Sequence, residues 1–233
     1  MTGWEFFDRI YCITLHERPD RRRSAEAAFR ELGLLDRVLF YVARRHPVDP
    51  EQGIFESHQA CIRSGLDAGA ARIAVFEDDV VIERYSPHRL SQCLDYLKSC
   101  PQWDLLLFGA LVTGSRRTEN PATLSVRYRS LSHAYVVNRP LARQIAEMPW
   151  RHAPYDAMLQ RLASHCYAVY PAFAFQSDAP TDNRRLKWLD RCRRAFGGLK
   201  RIQKINEWYH RNRWAVLFGH AVVGALALAW LLR

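Results

Sequence analysis

Short apolar runs alternate with amphipathic stretches along most of this chain, and that alternation limits the fold more than any other feature. IYCITL (10–15), RVLFYVA (37–43), RIAVFEDD (72–79), WDLLLFGA (103–110) and SHAYVVN (132–138) read as buried strands. Between them, SAEAAFRELGL (24–34), FESHQACIRSGLDAG (55–69) and PHRLSQCLDYLKSC (87–100) have helical spacing, with Gly33 and Gly69 placed as stops. PLARQIAEM (140–148) and PYDAMLQRLA (154–163) open with proline, which suits a first helical turn. The pattern predicts an α/β fold: a Rossmann-like, mostly parallel sheet with helices on both faces.

Charge divides the chain into three parts. The formal net charge is +10, yet residues 1–183 carry 22 Lys+Arg against 22 Asp+Glu, so this body is neutral. Residues 184–213 hold 11 basic residues against Asp190 and Glu207. Recurring apolar positions there predict a basic amphipathic helical segment broken at Gly197 and Gly198. Residues 214–233 follow as an apolar helix; Trp214 to Leu232 has no Asp, Glu, Lys or Arg and approaches the ~20 residues that span a bilayer. Basic residues beside such a run point to an anionic membrane surface rather than nucleic acid, and the neutral body lacks the aromatic-basic array of RNA modules. Arg211 and Arg213 place the body on the cytoplasmic side by the positive-inside rule. The start, MTGWEFFDRIYCITL, has no basic-then-apolar pattern, so no cleaved signal peptide is expected. The six cysteines show no metal spacing and read as buried thiols.

Glu77, Asp78 and Asp79 close the apolar strand IAVF (73–76), where open α/β sheets place their ligands. Strand alternation sends Glu77 and Asp79 one way and Asp78 the other, unless the chain turns there. Adjacent anions repel, and a hard divalent ion, Mg²⁺ or Mn²⁺ bridging a phosphate, removes the conflict. Capping of a turn, or pairing with Arg72 or Arg84, is the alternative. The first strand-to-helix connection, 14–23, lacks both glycine-rich phosphate motifs but offers Arg18 and Arg21 to Arg23. Arg18 and Arg21 to Arg23 suit a diphosphate through bidentate hydrogen bonds; against this, Arg21 to Arg23 open a helix and are expected in solvent.

IYCITLHERPDRR, GIFESHQACIRSGLDAGAARIAVFEDDV, SHAYVVN with PLARQIA, and PYDAML occur in this order across residues 10–178, and together they resemble glycosyltransferase family 25. These are the lipopolysaccharide and lipooligosaccharide transferases related to collagen galactosyltransferases. The resemblance implies a GT-A-type fold, a UDP-sugar donor, a divalent metal and inversion at the anomeric carbon. It implies that Asp79 binds the metal, that Asp78 meets ribose or metal-bound water, and that Glu77 is more structural. Thr14, Leu15 and Arg18 would border the nucleotide, with Ser57 and His58 matching the family's Ser-His. Thr14 stands where the family commonly has Asn. Gln176 and Asp178 are candidates for a further metal ligand.

The resemblance further implies an inverting transferase moving a hexose, galactose by preference, onto a lipid-linked saccharide at the cytoplasmic face of a bacterial inner membrane. An inverting transfer needs a base, and Asp156 matches the family's late Asp; as the opener of a helix it equally reads as a cap. His133 is the competing base or an acceptor ligand. A membrane-tethered, catalytically inactive nucleotide-sugar binder is the alternative function.

Overall fold

The computed structural model describes residues 3–100, 102–177, 193 and 197–231, the last stretch without the side chains of 226, 227, 229 and 231. Strand and helix alternate from the start: β1 (Arg9–Leu15), α1 (Pro19–Glu31), β2 (Val38–Ala43), α2 (Pro50–Asp67), β3 (Arg72–Glu77), β4 (Val80–Ile82) and α3 (Pro87–Ser99). Next come β5 (Leu105–Leu107), β6 (Leu111–Arg117), β7 (Thr123–Ser130), β8 (Ala134–Asn138), α4 (Arg139–Glu147), α5 (Tyr155–Leu162), β9 (Cys166–Val169) and β10 (Ala174–Gln176). The long α6 (Gly198–Leu231) closes the described chain. Proline occupies the first turn of α1, α2, α3 and α4, and the side chains of Asp49, Ser86 and Asn138 cap the last three of these. Gly33 and Gly69 follow α1 and α2 at φ 67° and 77°, a backbone region that disfavours any side chain.

Eight strands form one sheet in the order β2-β1-β3-β8-β5-β9-β7-β6, and β10 pairs with β4 in a separate ribbon. β1 pairs in parallel with β2 and β3. The sheet is mostly parallel, as expected: only β8, antiparallel to β3 and β5, and β7, antiparallel to β6 and β9, run against the rest. The sheet is therefore mixed.

Side-chain alternation along β3 builds two cores. Ala74 and Phe76 face Phe29 of α1, Leu90 and Leu94 of α3, and the N-terminal aromatics Trp4 and Phe7. Ile73 and Val75 face Phe55 and Ile62 of α2, Leu141 and Ile145 of α4, and Leu159 of α5. Helices thus cover both faces, as expected. Of the described cysteines, Cys12, Cys61, Cys93 and Cys166 are buried free thiols and Cys100 is half-buried.

The basic segment and apolar run are not separate past residue 198: α6 is one helix through both. Its first half packs on the body, with Leu199 and Gln203 buried. Asn206 accepts from Val112 N–H at 2.9 Å and donates to Val112 O at 3.0 Å, acting as a side-chain strand on the free edge of β6. Residues 178–192 and 194–196, which include most of the first half of the basic segment, lie outside the described residues. Among those described, no helix is long and apolar enough to cross a membrane, so the expected bilayer-spanning anchor has no counterpart there.

The ribbon is pressed against the sheet at Gly109, where a Cβ would sit 1.7 Å from Ala174 O. Gly109→Ala must push β10 outward, and a loss of about 1–3 kcal/mol is expected in urea unfolding; an unchanged midpoint would show that the ribbon yields freely.

Candidate active site

A cavity of about 330 Å³ opens at the carboxyl ends of β1, β2 and β3. The chain turns after Glu77, so β3 ends there and β4 begins at Val80. All three acids of the triplet consequently line the cavity in place of splitting between the sheet faces. Thr14, Leu15, Ser57, His58, His133 and Asp156 line it too. Arg18 does not: its guanidinium folds back on Asp20 at 2.8 Å in the first turn of α1. Arg21 points inward instead, 14% exposed, with Nη1 3.8 Å from Asp78 Oδ1 and 4.0 Å from Asp79 Oδ2. The expectation that Arg21 lies in solvent is wrong because Pro19 starts the helix and leaves Arg21 on its inner face.

Each acid is held by a different element. Leu15 N–H of β1 donates to Asp78 Oδ2 at 3.3 Å, and Gln176 of β10 donates to Asp79 Oδ2 at 2.9 Å. Burial raises both carboxyls above their usual range; neighbouring acids add to this and Arg21 opposes it. Asp79 Oδ1 is buried and has no hydrogen-bond partner. Two hard oxygen donors side by side, one with an unused buried oxygen, fit a divalent cation that takes its other ligands from a diphosphate and water. Among the described residues no three His, Cys, Asp or Glu side chains converge as a complete metal site. Asp178 lies outside the described residues.

Glu77 forms a second cluster. Its Oε1 lies 3.4 Å from His58 Nε2 and accepts from Ser132 Oγ at 3.3 Å. Burial pushes the Glu77 carboxyl up to about 7. His58 stacks on Tyr155 with ring centroids 4.1 Å apart, and its Nδ1 lies 3.0 Å from Tyr135 Oη, which is 2.7 Å from Tyr155 Oη. Burial lowers His58 to about 3, so the ring is neutral. Ser57 Oγ donates to Gly53 O at 2.7 Å inside α2.

Asp156, in the first turn of α5, accepts from Tyr128 Oη at 2.6 Å and from Leu131 N–H at 2.9 Å. Leu131 has φ 76°, a strained value for a branched side chain that costs on the order of 1–3 kcal/mol, and that backbone directs its N–H at the carboxylate. Each carboxylate oxygen keeps a lone pair for a further donor. His133 places Nε2 3.2 Å from Ala174 O, so Nε2 carries the proton; Nδ1 is buried and unpartnered.

No family model matches the chain. The probable inactive glycosyltransferase 25 family member 3 of Bos taurus is 28% identical over 190 residues, 66% of this chain and 31% of that protein. The inactive member 3 of Homo sapiens is 27% identical over 185 residues, with the same coverage. A glycosyltransferase 25 family member of Aedes aegypti is 29% identical over 127 residues, 43% of this chain and 21% of that protein. By sequence this chain is a relative of the glycosyltransferase 25 family. It spans less than a third of the length of these family members. Likeness to solved structures is remote: A197 from STIV has a TM-score of 0.43 at 10% identity, covering 72% of this chain and 85% of that one. A glycosyltransferase involved in glycosylating the major capsid of PBCV-1 has 0.42 at 13%, covering 79% and 99%.

The resemblance assigns no role to Arg21 or to the support behind Gln176. Gln203 of α6, 2% exposed, accepts from Gln176 N–H at 3.0 Å, and Gln176 in turn holds Asp79. Lys200 and Lys204 both reach Glu83, just past β4, at 2.7 Å. The helix therefore grips both strands of the ribbon that flanks the acidic turn. No local pattern foretells such pairs, which join residues distant in sequence.

Gln203→Leu keeps the shape but strands a buried N–H, and a loss of about 1–3 kcal/mol is expected in denaturant unfolding. His58 supplies a pH test. The unfolded ring takes up a proton near 6.5, whereas the folded one resists to about 3. Below 6.5 the unfolded state thus holds more protons, and stability falls with pH, by up to about 1.4 kcal/mol per unit. Unfolding across this window should show a shallower slope in His58→Asn; equal slopes would contradict a neutral buried ring.

Proposed function

We propose that the chain is an inverting glycosyltransferase that moves a hexose from a UDP-sugar to a saccharide acceptor. The observation that carries this reading is one cavity bringing together the Asp78–Asp79–Arg21 corner and, among its lining residues, Asp156. Asp156 accepts the proton of the acceptor hydroxyl as that oxygen attacks the anomeric carbon; Tyr128 and the Leu131 N–H hold the carboxylate in place. Arg21 faces the departing diphosphate and offsets its charge, the role first given to Arg18. Asp78 and Asp79 would hold Mn²⁺ or Mg²⁺, which when bound supplies Lewis-acid stabilisation of the leaving group. His133, whose Nδ1 is buried and unpartnered, is the rival base.

The acceptor in this reading is a lipopolysaccharide-type saccharide on lipid, with galactose the favoured hexose. The body sits at the cytoplasmic face of a bacterial inner membrane, and the apolar half of α6 is membrane-associated. Supporting this, Trp214, Phe218, Val223 and Trp230 are all highly exposed. Holding the enzyme in the plane of a lipid-linked acceptor raises its effective concentration.

A second reading, a nucleotide-sugar binder without turnover, is favoured by the names of the bovine and human relatives, both called inactive. UDP release from a panel of UDP-sugars, with and without chelator, separates the two. Turnover should fall at least about a hundredfold in Asp79→Ala and by about 10²–10⁴ in Asp156→Asn. Donor binding without any UDP release in the native protein would select the second reading. Activity surviving in Asp156→Asn would transfer the base role to His133.

A further inference from the structure

The helix α6 changes character abruptly at Arg213 and Trp214. Up to that point it is tied to the body: Asn206 clasps Val112, and Glu207 accepts from Ala172 N–H at 2.6 Å while facing Arg84. Beyond it, Trp214 is 72% exposed and Phe218 71%. At the transition lies Gly114 of β6, buried and paired with Arg127 of β7. A Cβ at Gly114 would fall 3.1 Å from Arg127 Nε and 3.5 Å from Arg213 Nη1. Two guanidinium groups, one from the sheet and one from the helix, therefore converge over a residue that has no side chain.

His210, one turn back on α6, is held below its ordinary range by burial first, and then by the charges of Arg213 and Arg127, which it is close enough to feel. Among the described residues neither Arg127 nor Arg213 has an acidic partner. The nearby acid on the same helix, Glu207, is already engaged. Arg116 and Arg117 continue β6 as further exposed cations. Like charges gathered without a counter-ion repel, and an anion placed between them reverses the sign of that energy. Arg213 also lies over the Trp214 ring at 5.1 Å, which joins the cationic cluster directly to the apolar surface.

We propose that Arg127 and Arg213, converging over Gly114, seat the phosphate of an anionic lipid headgroup where the exposed apolar half of α6 begins. The occupant is a lipid and not a free anion or a nucleic acid, because the ligand must satisfy cations at one end and an apolar helix at the other. The inference rests on the membrane-associated reading of α6, and it adds a residue of the sheet to a surface that the sequence confined to the tail.

Flotation of the full chain with phosphatidylcholine vesicles, and with vesicles containing phosphatidylglycerol as well, tests it. The native protein should prefer the anionic vesicles. Arg127→Gln should weaken that preference by about fivefold, the worth of one cation at such a surface, and leave binding to neutral vesicles unchanged. Arg30→Gln removes the same charge from the far end of α1 and should not alter the preference. If Arg127→Gln and Arg30→Gln behave alike, the charge acts in bulk and the seat is overturned. Native protein that floats with neither vesicle overturns the seat and the membrane reading together. UDP release measured on the same preparations reports on the transferase reading separately.

Discussion

Repulsion among Glu77, Asp78 and Asp79 is the constraint around which the cavity is built. Three carboxylates at the end of one buried strand cannot all be ionised without compensation, and each compensating group comes from a different part of the chain. Arg21 comes from α1, the Leu15 N–H from β1, Gln176 from β10, Ser132 from the turn before β8 and His58 from α2. What remains unpaired is informative: one Asp79 oxygen has no donor and no solvent. That bare oxygen is the observation on which the proposed cation site rests.

The elements legible in the sequence are those with a long apolar period. β1, β2 and β3 show as continuous hydrophobic runs, and the helices as amphipathic stretches between proline and glycine. The direction of β8 was hidden, because a strand buried on both faces has the same composition whether its neighbours run parallel or antiparallel. β4, β5 and β10 have only three residues each, too few to carry a period. The acidic triplet could be located from its strand, but not the turn that brings Asp78 round to join its neighbours. Arg21 turns inward because the helix begins at Pro19, which sets Arg21 one turn before Ala25 and two before Phe29, on the face buried against the sheet.

Asp156 shows how position and strain combine. Spacing alone reads it as a helix cap, and it does sit in a first helical turn. In the fold its two oxygens take bonds from a tyrosine of β7 and from a leucine held at positive φ, neither of which belongs to its own helix. A carboxylate that served only to cap would need neither, and the strained backbone suggests that its orientation matters more than the energy spent on it.

The charge profile breaks at residue 183, and a domain boundary drawn there looks natural. The hydrogen bonds break elsewhere. Leu199 and Gly198 form part of the cavity wall, and Gln203 and the two lysines beside it hold the acidic ribbon from behind. The first half of α6 is thus built into the α/β body. The helix that carries the exposed Trp214, Phe218 and Trp230 is the same rod that closes one wall of the cavity.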